Sequence, residues 1–320
     1  EGALSAETPV RARLAYDELL ANQLALQIIR AKMKKRPGRS IKGDGRLTRQ
    51  VMQSLPFELT GAQRMALAEI AADMAEPSAM LRLLQGDVGS GKTIVALFAM
   101  LEAIECGGQA ALMAPTEILA RQHMETIEPL VSAIGLKTAV LTGRGKAKAR
   151  KEILYELQSG EIDIIIGTHA LFQETVRLQD LMVAVIDEQH RFGVHQRLNL
   201  AAKGKGVDVL VMTATPIPRT LLLTSYGDLE ASQLREKPAG RRPIDTRTVP
   251  LDRLSEVVDA LDRHLSNGAK AYWVCPLVEE SENIDLAAAE ERYAYLKARF
   301  GDQVAVVHGR MKAAEKDAAM

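Results

Sequence analysis

Net charge is the first thing this chain lacks. Lysine and arginine together number 41, aspartate and glutamate together number 41, and the formal charge of the 320 residues is zero at pH 7. A globally basic surface is therefore excluded, and any contact with nucleic acid must come from local patches. Cysteine is scarce as well. Cys106 and Cys275 stand far apart, which excludes a disulfide framework and argues against a metal site. Both lie in apolar helix or strand surroundings and read as buried free thiols in a reducing cytoplasm. No apolar run approaches the ~20 residues of a membrane helix. No internal repeat or low-complexity tract stands out. What remains is 47% hydrophobic and 26% charged, the composition of a globular protein long enough for two domains. The chain opens on Glu1, not Met, and closes on Met320 inside a helical pattern. It reads as a fragment, with an upstream targeting segment left open.

One stretch carries a definite chemistry. Gly86-Asp87-Val88-Gly89-Ser90-Gly91-Lys92-Thr93 fits the P-loop pattern that cradles the phosphates of ATP or GTP. A triphosphate is a dense anion, and backbone N–H groups must approach it closely. Side chains at positions 86, 89 and 91 would obstruct that approach. Lys92 puts a point charge beside the β- and γ-phosphates, and the Thr93 hydroxyl can ligate Mg²⁺. Met80–Leu84 before the loop reads as a strand and Ile94–Glu105 after it as a helix, whose N-terminus adds a favourable dipole.

The surrounding pattern is regular. Arg11 to Arg36 carries Leu14, Leu19, Leu20, Leu24, Ile28 and Ile29 at helical spacing and predicts one long helix ended by Pro37-Gly38. Around its end lie Arg30, Lys32, Lys34, Lys35, Arg36, Arg39, Lys42, Arg46 and Arg49. That run is either a solvated helix end or a contact with a phosphate backbone. Next comes a helix at Ala62–Ala75. Strands are predicted near Leu81–Leu84, Ala110–Met113, Lys137–Leu141, Ile162–Ile166, Val183–Ile186 and Val207–Met212. Continuous apolar strands alternating with helices imply an α/β fold with a parallel sheet covered on both faces. A second alternating unit follows the polar stretch 236–243. Its strands are predicted near Asp245–Val249, Ala269–Cys275 and Val304–Val307, and its helices near Leu251–Leu265 and Ala287–Phe300. Three strands are too few for a complete sheet of this kind.

A P-loop needs a partner carboxylate. Val183-Ala184-Val185-Ile186-Asp187-Glu188 is an apolar strand ending in two acids. Asp187 is placed to hold Mg²⁺, directly or through water, and Glu188 to orient or deprotonate the attacking water. His190 is either a polar loop residue or a bridge between nucleotide and the next motif. That motif is Thr213-Ala214-Thr215-Pro216, again at a strand end. Thr213 and Thr215 can hydrogen-bond the acid–histidine cluster and report γ-phosphate loss, or cap the next helix; both readings stand. Upstream, Gln63 can match a donor and an acceptor on the edge of adenine, and Phe57 can stack on the base. Thr60 also reads as the N-cap of the following helix.

Taken in order, these motifs resemble those of the superfamily two helicases, and within them the RecG family of branch-migration helicases. The resemblance rests on residues 86–93, Ala114–Ala120, Gly167–Leu171, Asp187–Val194 and Thr213–Thr220, and is extended by Tyr226–Leu229, Cys275–Leu277 and His308–Met311. It runs from about Arg11 to Met320. The translocase module of the transcription-repair coupling factor shares Pro-Ile-Pro-Arg-Thr (216–220). Gln189, the His-Gly-Arg-Met run and the Cys-Pro-Leu strand favour RecG. A nucleotide-switched nucleic-acid-binding module is the non-enzymatic alternative; the acid pair argues against it.

The resemblance implies RecA-like P-loop lobes, with ATP in the cleft between them and Mg²⁺ as its companion. It implies a linker helix and basic connector (1–50), a first lobe (51–235) and the start of a second (236–320). Lys92, Asp187, Glu188 and His190 become catalytic, Phe57, Gln63 and residues 86–93 nucleotide-binding, Thr93 and Asp187 metal-binding, and Thr213 and Thr215 coupling residues. Pro115, Thr116, Arg121, Thr142, Gly143, Arg144, Thr168 and His169 become contacts with the DNA backbone. The basic run Arg144, Lys146, Lys148, Arg150, Lys151 is either part of that surface or the charged face of a helix. The implied partner is branched double-stranded DNA, met by a monomer in the bacterial cytoplasm at the nucleoid, with no membrane involved. The family's late second-lobe motifs, including an arginine that completes the ATP site, would lie beyond Met320. A chain without them is expected to bind ATP, hydrolyse it poorly and leave forks unopened.

Overall fold

The computed structural model describes residues 8–33, 37–143, 147–187, 203–215, 230–236, 244–275, 282–308, 311 and 318–319. The chain divides into two compact units, 1–241 and 242–320, each of which is treated by itself. In the first, helix α1 spans Pro9–Met33, α2 Arg46–Ser54, α3 Gly61–Met74, α4 Lys92–Glu105, α5 Glu117–Ser132 and α6 Ala147–Ser159. The strands are β1 Leu81–Gly86, β2 Gln109–Met113, β3 Thr138–Leu141, β4 Ile164–Gly167, β5 Leu181–Asp187, β6 Asp208–Thr213 and β7 Glu230–Leu234. They form one sheet in the order β3-β4-β2-β5-β6-β1-β7, every neighbouring pair parallel. This is the α/β architecture of a RecA-like lobe, and it places the six expected strands together.

Period-two alternation sends the strand side chains to two cores. Leu84, Leu112, Ile166, Val185 and Leu210 pack with the buried residues of α2 to α5. Leu83, Met113, Ile165, Ile186 and Val211 pack on the opposite face with Leu157 of α6 and Leu171. Helix α4 is apolar all round and buried from Ile94 to Leu101 without interruption, as a helix threaded through a core must be.

The strand β7 escapes the sequence pattern because Glu-Ala-Ser-Gln-Leu has no apolar run. It lies at the sheet edge beside β1, where polar side chains are tolerated. Its anchor is Arg82 on β1. That guanidinium, 8% exposed, donates to Asp73 Oδ2 (2.7 Å), Glu69 Oε2 (3.2 Å) and Ser232 Oγ (2.9 Å). One buried cation thus ties α3, β1 and β7 together.

Two basic residues of the candidate phosphate-binding runs are spent on the fold. Arg39 holds Asp180 in an ion pair at 2.7 Å and donates to Lys205 O. Arg150 reaches Gln173 Oε1 (2.6 Å) and Thr142 O (3.4 Å). Residues assigned to a connector also join the core: Ile41 and Leu47 are buried with Val51 of α2. Helix α2 begins at Gly45 without a side-chain cap of its own. Its orphan N–H groups are instead taken by Glu105 at the far end of α4, which accepts from Gly45 N (2.7 Å), Leu47 N (2.5 Å) and Thr48 N (3.1 Å). A carboxylate on a helix N-terminus is favoured by both hydrogen bonding and the dipole. By contrast, α1 leaves Leu14, Leu19, Leu20 and Leu24 exposed.

Both cysteines depart from expectation. Cys106 is exposed and Cys275 half-buried, and both are free. Cys106 ends α4 where Gly107 turns at a φ of 85° toward the surface. Burial of what remains covered, against a bond from Lys42 N–H, pushes its thiol pKa up.

Asp208 opens β6 with no exposed surface and accepts the Met80 N–H at 2.6 Å, its other oxygen having no partner among the described residues. Burial pushes this carboxyl up to about 7, against the lowering effect of that N–H. The folded pKa lies above the unfolded value of 3.8. The stability that the neutral acid contributes is therefore complete below about pH 4 and lost as pH rises through 7. Asp208→Asn keeps an acceptor for Met80 and cannot ionise. Relative to the parent chain it should gain up to about 4 kcal/mol between pH 4 and pH 8. Chemical denaturation at both pH values measures this; a constant difference would refute it.

In the second unit the helices are α7, Leu254–Ser266, entered through a 3₁₀ turn at Leu251–Arg253, and α8, Glu282–Phe300. Arg299 of α8 pairs with Asp259 and Asp262 of α7. The strands expected at Asp245–Val249, Ala269–Cys275 and Val304–Val307 are not formed; these runs have no regular structure. Tyr272 and Val274 are 79% and 81% exposed. Apolar alternation gives a strand its face but not its partner, and an unpaired run makes no ladder. Among the described residues no helix is long and apolar enough to cross a membrane.

Candidate functional site

Because the sheet is all-parallel, the loop after every strand leaves from the same edge, the usual place for a site in an open α/β fold. β1 ends at Gly86 and α4 begins at Lys92, so the P-loop is the tight turn between them. Gly91 caps α4 at a φ of 85°, and a Cβ there would strike Gln63 Nε2. A Cβ on Gly86 would lie 2.5 Å from Ser90 Oγ and 2.9 Å from Leu234 Cβ. Bare backbone is thus required at both ends of the turn. Lys92 Nζ folds onto the loop and donates to Gly86 O (2.7 Å) and Asp87 O (3.0 Å). Ser90 Oγ is buried with no partner among the described residues.

Gln63 sits beneath this turn, 2% exposed. Its amide oxygen accepts from Thr60 N (2.9 Å), Thr60 Oγ1 accepts from Gln63 N (3.2 Å), and Gln63 Nε2 donates to Ser90 O (2.8 Å). The capping box expected of Thr60 is therefore also the brace of the P-loop, and it occupies the Gln63 amide oxygen expected to accept from adenine. Phe57 is 49% exposed.

Asp187 ends β5 and is 7% exposed. Its partner is a residue the sequence reading missed. His123 of α5 approaches Asp187 Oδ2 with Nε2 at 2.8 Å and Thr93 Oγ1 with Nδ1 at 3.5 Å. One imidazole thereby joins the start of the P-loop helix to the acid strand. A lone histidine on a helix face gives no sequence signal of two partners 30 and 64 positions away.

Thr213 ends β6, which lies between β5 and β1. Its Oγ1 accepts from Thr215 N at 3.2 Å, and Thr215 O accepts from Gln85 Nε2 at 3.1 Å. Gln85 Oε1 in turn accepts from Gln233 of β7 at 3.0 Å. The residue before the P-loop is therefore bonded to the threonine motif. Glu188, His190 and Arg144 lie outside the described residues.

The other half of the same edge holds the second group of candidates. Pro115 and Thr116 follow β2, Thr142 and Gly143 follow β3, and Thr168 and His169 follow β4. Thr116 Oγ1 caps α5 through Leu119 N at 3.3 Å. Arg121 and His169 are exposed. Thr168 is 2% exposed, and its hydroxyl has no partner among the described residues.

The donor set fits a magnesium–triphosphate group: a hydroxyl and a carboxylate tied together, a turn that excludes Cβ atoms and a buried serine hydroxyl. Among the described residues no cluster of three or more His, Cys, Asp and Glu could hold a metal. Mg²⁺ is commonly held by one or two protein oxygens together with substrate phosphates, a number that Thr93 and Asp187 could supply.

Comparison with known proteins agrees with this geometry. Residues 60–223 match the model of the DEAD/DEAH box helicases. The chain is 46% identical to ATP-dependent DNA helicase RecG of Escherichia coli O157:H7 over 98% of its length, covering 46% of that protein. It is also 46% identical to RecG of Thermotoga maritima over 97%, covering 40%. A solved structure of RecG bound to a three-way DNA junction superposes with a TM-score of 0.81 at 43% identity, over 96% of this chain and 40% of that one. The chain thus spans about half the length of the curated relatives it matches. The matched residues run from the cap of α3 through the P-loop and the acid strand, and the chain belongs to the DEAD/DEAH box helicase family, where it is similar to RecG.

Proposed function

We propose that this chain is the ATP-handling part of a motor that remodels branched DNA in recombination and repair, acting in the cytoplasm. The observation that carries the reading is the single sheet edge with a phosphate cradle at one half and a row of small polar strand-end residues at the other. Similarity to a helicase described with a three-way junction supports the choice of substrate. The unit boundaries we assign are 1–50 for a connector, 51–235 for the first lobe and 236–320 for the start of the second.

Residues 86–93 hold the triphosphate, with Lys92 leaving its carbonyl partners for the β- and γ-phosphates. Thr93 and Asp187 hold Mg²⁺, which neutralises charge developing on the phosphoryl oxygens. Glu188 orients the attacking water, and His190 bridges toward the threonine motif. Gln63 reads adenine while bracing Ser90, and Phe57 lies against the base. Thr213 and Thr215, the latter accepting from Gln85 through its carbonyl, relay loss of the γ-phosphate. Pro115, Thr116, Arg121, Thr142, Gly143, Arg144, Thr168 and His169 grip the phosphate backbone, which positions the duplex without reading its sequence.

The test is phosphate release by a protein of the relatives' full length that carries this chain, with no nucleic acid, with a forked duplex, with linear duplex and with structured RNA. Stimulation tenfold or more by the fork over the others is expected. Equal rates in all four would replace the motor by a nucleotide switch, and preference for RNA would replace the substrate.

A further inference from the structure

We propose that His123 is a positioning residue for the metal: its ring locks Asp187 and Thr93 into one unit and decides which of their oxygens face the cation. The inference rests on the reading that Thr93 and Asp187 hold Mg²⁺ with the triphosphate.

An ionised carboxylate can only accept, so the 2.8 Å contact with Asp187 Oδ2 requires the proton on His123 Nε2. The other nitrogen of a neutral ring can then only accept. At 3.5 Å, the long limit of a hydrogen bond, its neighbour is the Thr93 hydroxyl, which in this tautomer donates to it. That spends the hydroxyl hydrogen on the imidazole and keeps the oxygen lone pairs of Thr93 for a cation. It likewise spends Asp187 Oδ2 and leaves Oδ1. The ring is nearly as enclosed as the acid, its side chain 11% exposed against 10% for Asp187, so water does not substitute easily for either bond.

A buried histidine merely filling space needs one partner. This one bridges the two residues assigned to the metal, on two separate elements. It rides on α5, whose first residue follows the Pro115-Thr116 strand end. The metal pair, through His123, and one of the proposed DNA-contacting loops therefore adjoin the same helix. Groups that orient a metal's ligands are commonly worth about 10–100-fold in metal affinity.

The experiment is a fluorescence titration of the 320-residue chain with a labelled ATP analogue, in Mg²⁺ and in EDTA. The parent chain should bind more tightly with Mg²⁺. His123→Ala should lose about tenfold of that Mg²⁺-dependent gain, with binding in EDTA unchanged within about twofold. His123→Gln, which keeps an N–H for Asp187, should recover part of the gain. If the alanine variant does not fold, His123→Phe, which fills the space without either nitrogen, takes its place. A full Mg²⁺ gain in the variant lacking both nitrogens overturns the proposal, as does an equal loss in EDTA. A parent chain with no Mg²⁺-dependent binding takes down the metal reading as well.

Discussion

In a protein of the relatives' full length that carries this chain, Lys92→Ala should lower ATP turnover by about 10²–10³-fold while leaving the fold intact. The charge acts where negative charge builds on the transferred phosphoryl group, and removing one such clamp in other enzymes has that order of effect. Stability should hardly change. The contacts that Lys92 makes with Gly86 O and Asp87 O are part-buried and exposed respectively, so water can take them over. Lys92→Arg is not a rescue, because a planar fork does not fit a cradle shaped for a compact ammonium. Phosphate release measured alongside a thermal melt decides the matter. Turnover within threefold of the parent would mean that Lys92 is not at the transferred phosphate.

The largest loss of stability is expected at Arg82. Arg82→Ala should cost about 3 kcal/mol, a fall in Tm of roughly 6–12 °C. The loss comes from leaving Glu69 and Asp73 close together without their cation and Ser232 without its donor. Adding Glu69→Gln should return part of it, since one uncompensated charge is then gone. Denaturant titration of the single and double variants measures both terms. A single-variant cost below 1 kcal/mol would show that β7 stays attached by its backbone ladder alone.

These two residues also mark what was readable in the chain. Lys92 sits in a contiguous motif whose spelling reflects its own local geometry, so it was found at once. The same holds for the capping box at Thr60 and for the six apolar strands, whose continuous runs reflect burial on both faces. Arg82 was passed over because a charged residue within an apolar run carries no sign of its partners, which lie on α3 and at position 232. His123 was missed for the same reason, and β7 because an edge strand needs no apolar pattern. The three unformed strands of the second unit are the converse error. Composition fixes which segments favour a ladder, but pairing is a property of two segments.

The rod-like α4 joins the glycine turn to the N-terminus of α2. Its first residue is Lys92 and its last is Glu105, some 20 Å away at the rise of an α-helix. Between them it is encased by side chains on all sides and has no proline or glycine at which to bend. It is thus built as a stiff strut, joined at one tip to the glycine turn and at the other, through Glu105, to the first turn of α2. A displacement of the glycine turn along the helix axis would therefore be carried, with little bending, to the N-terminus of α2.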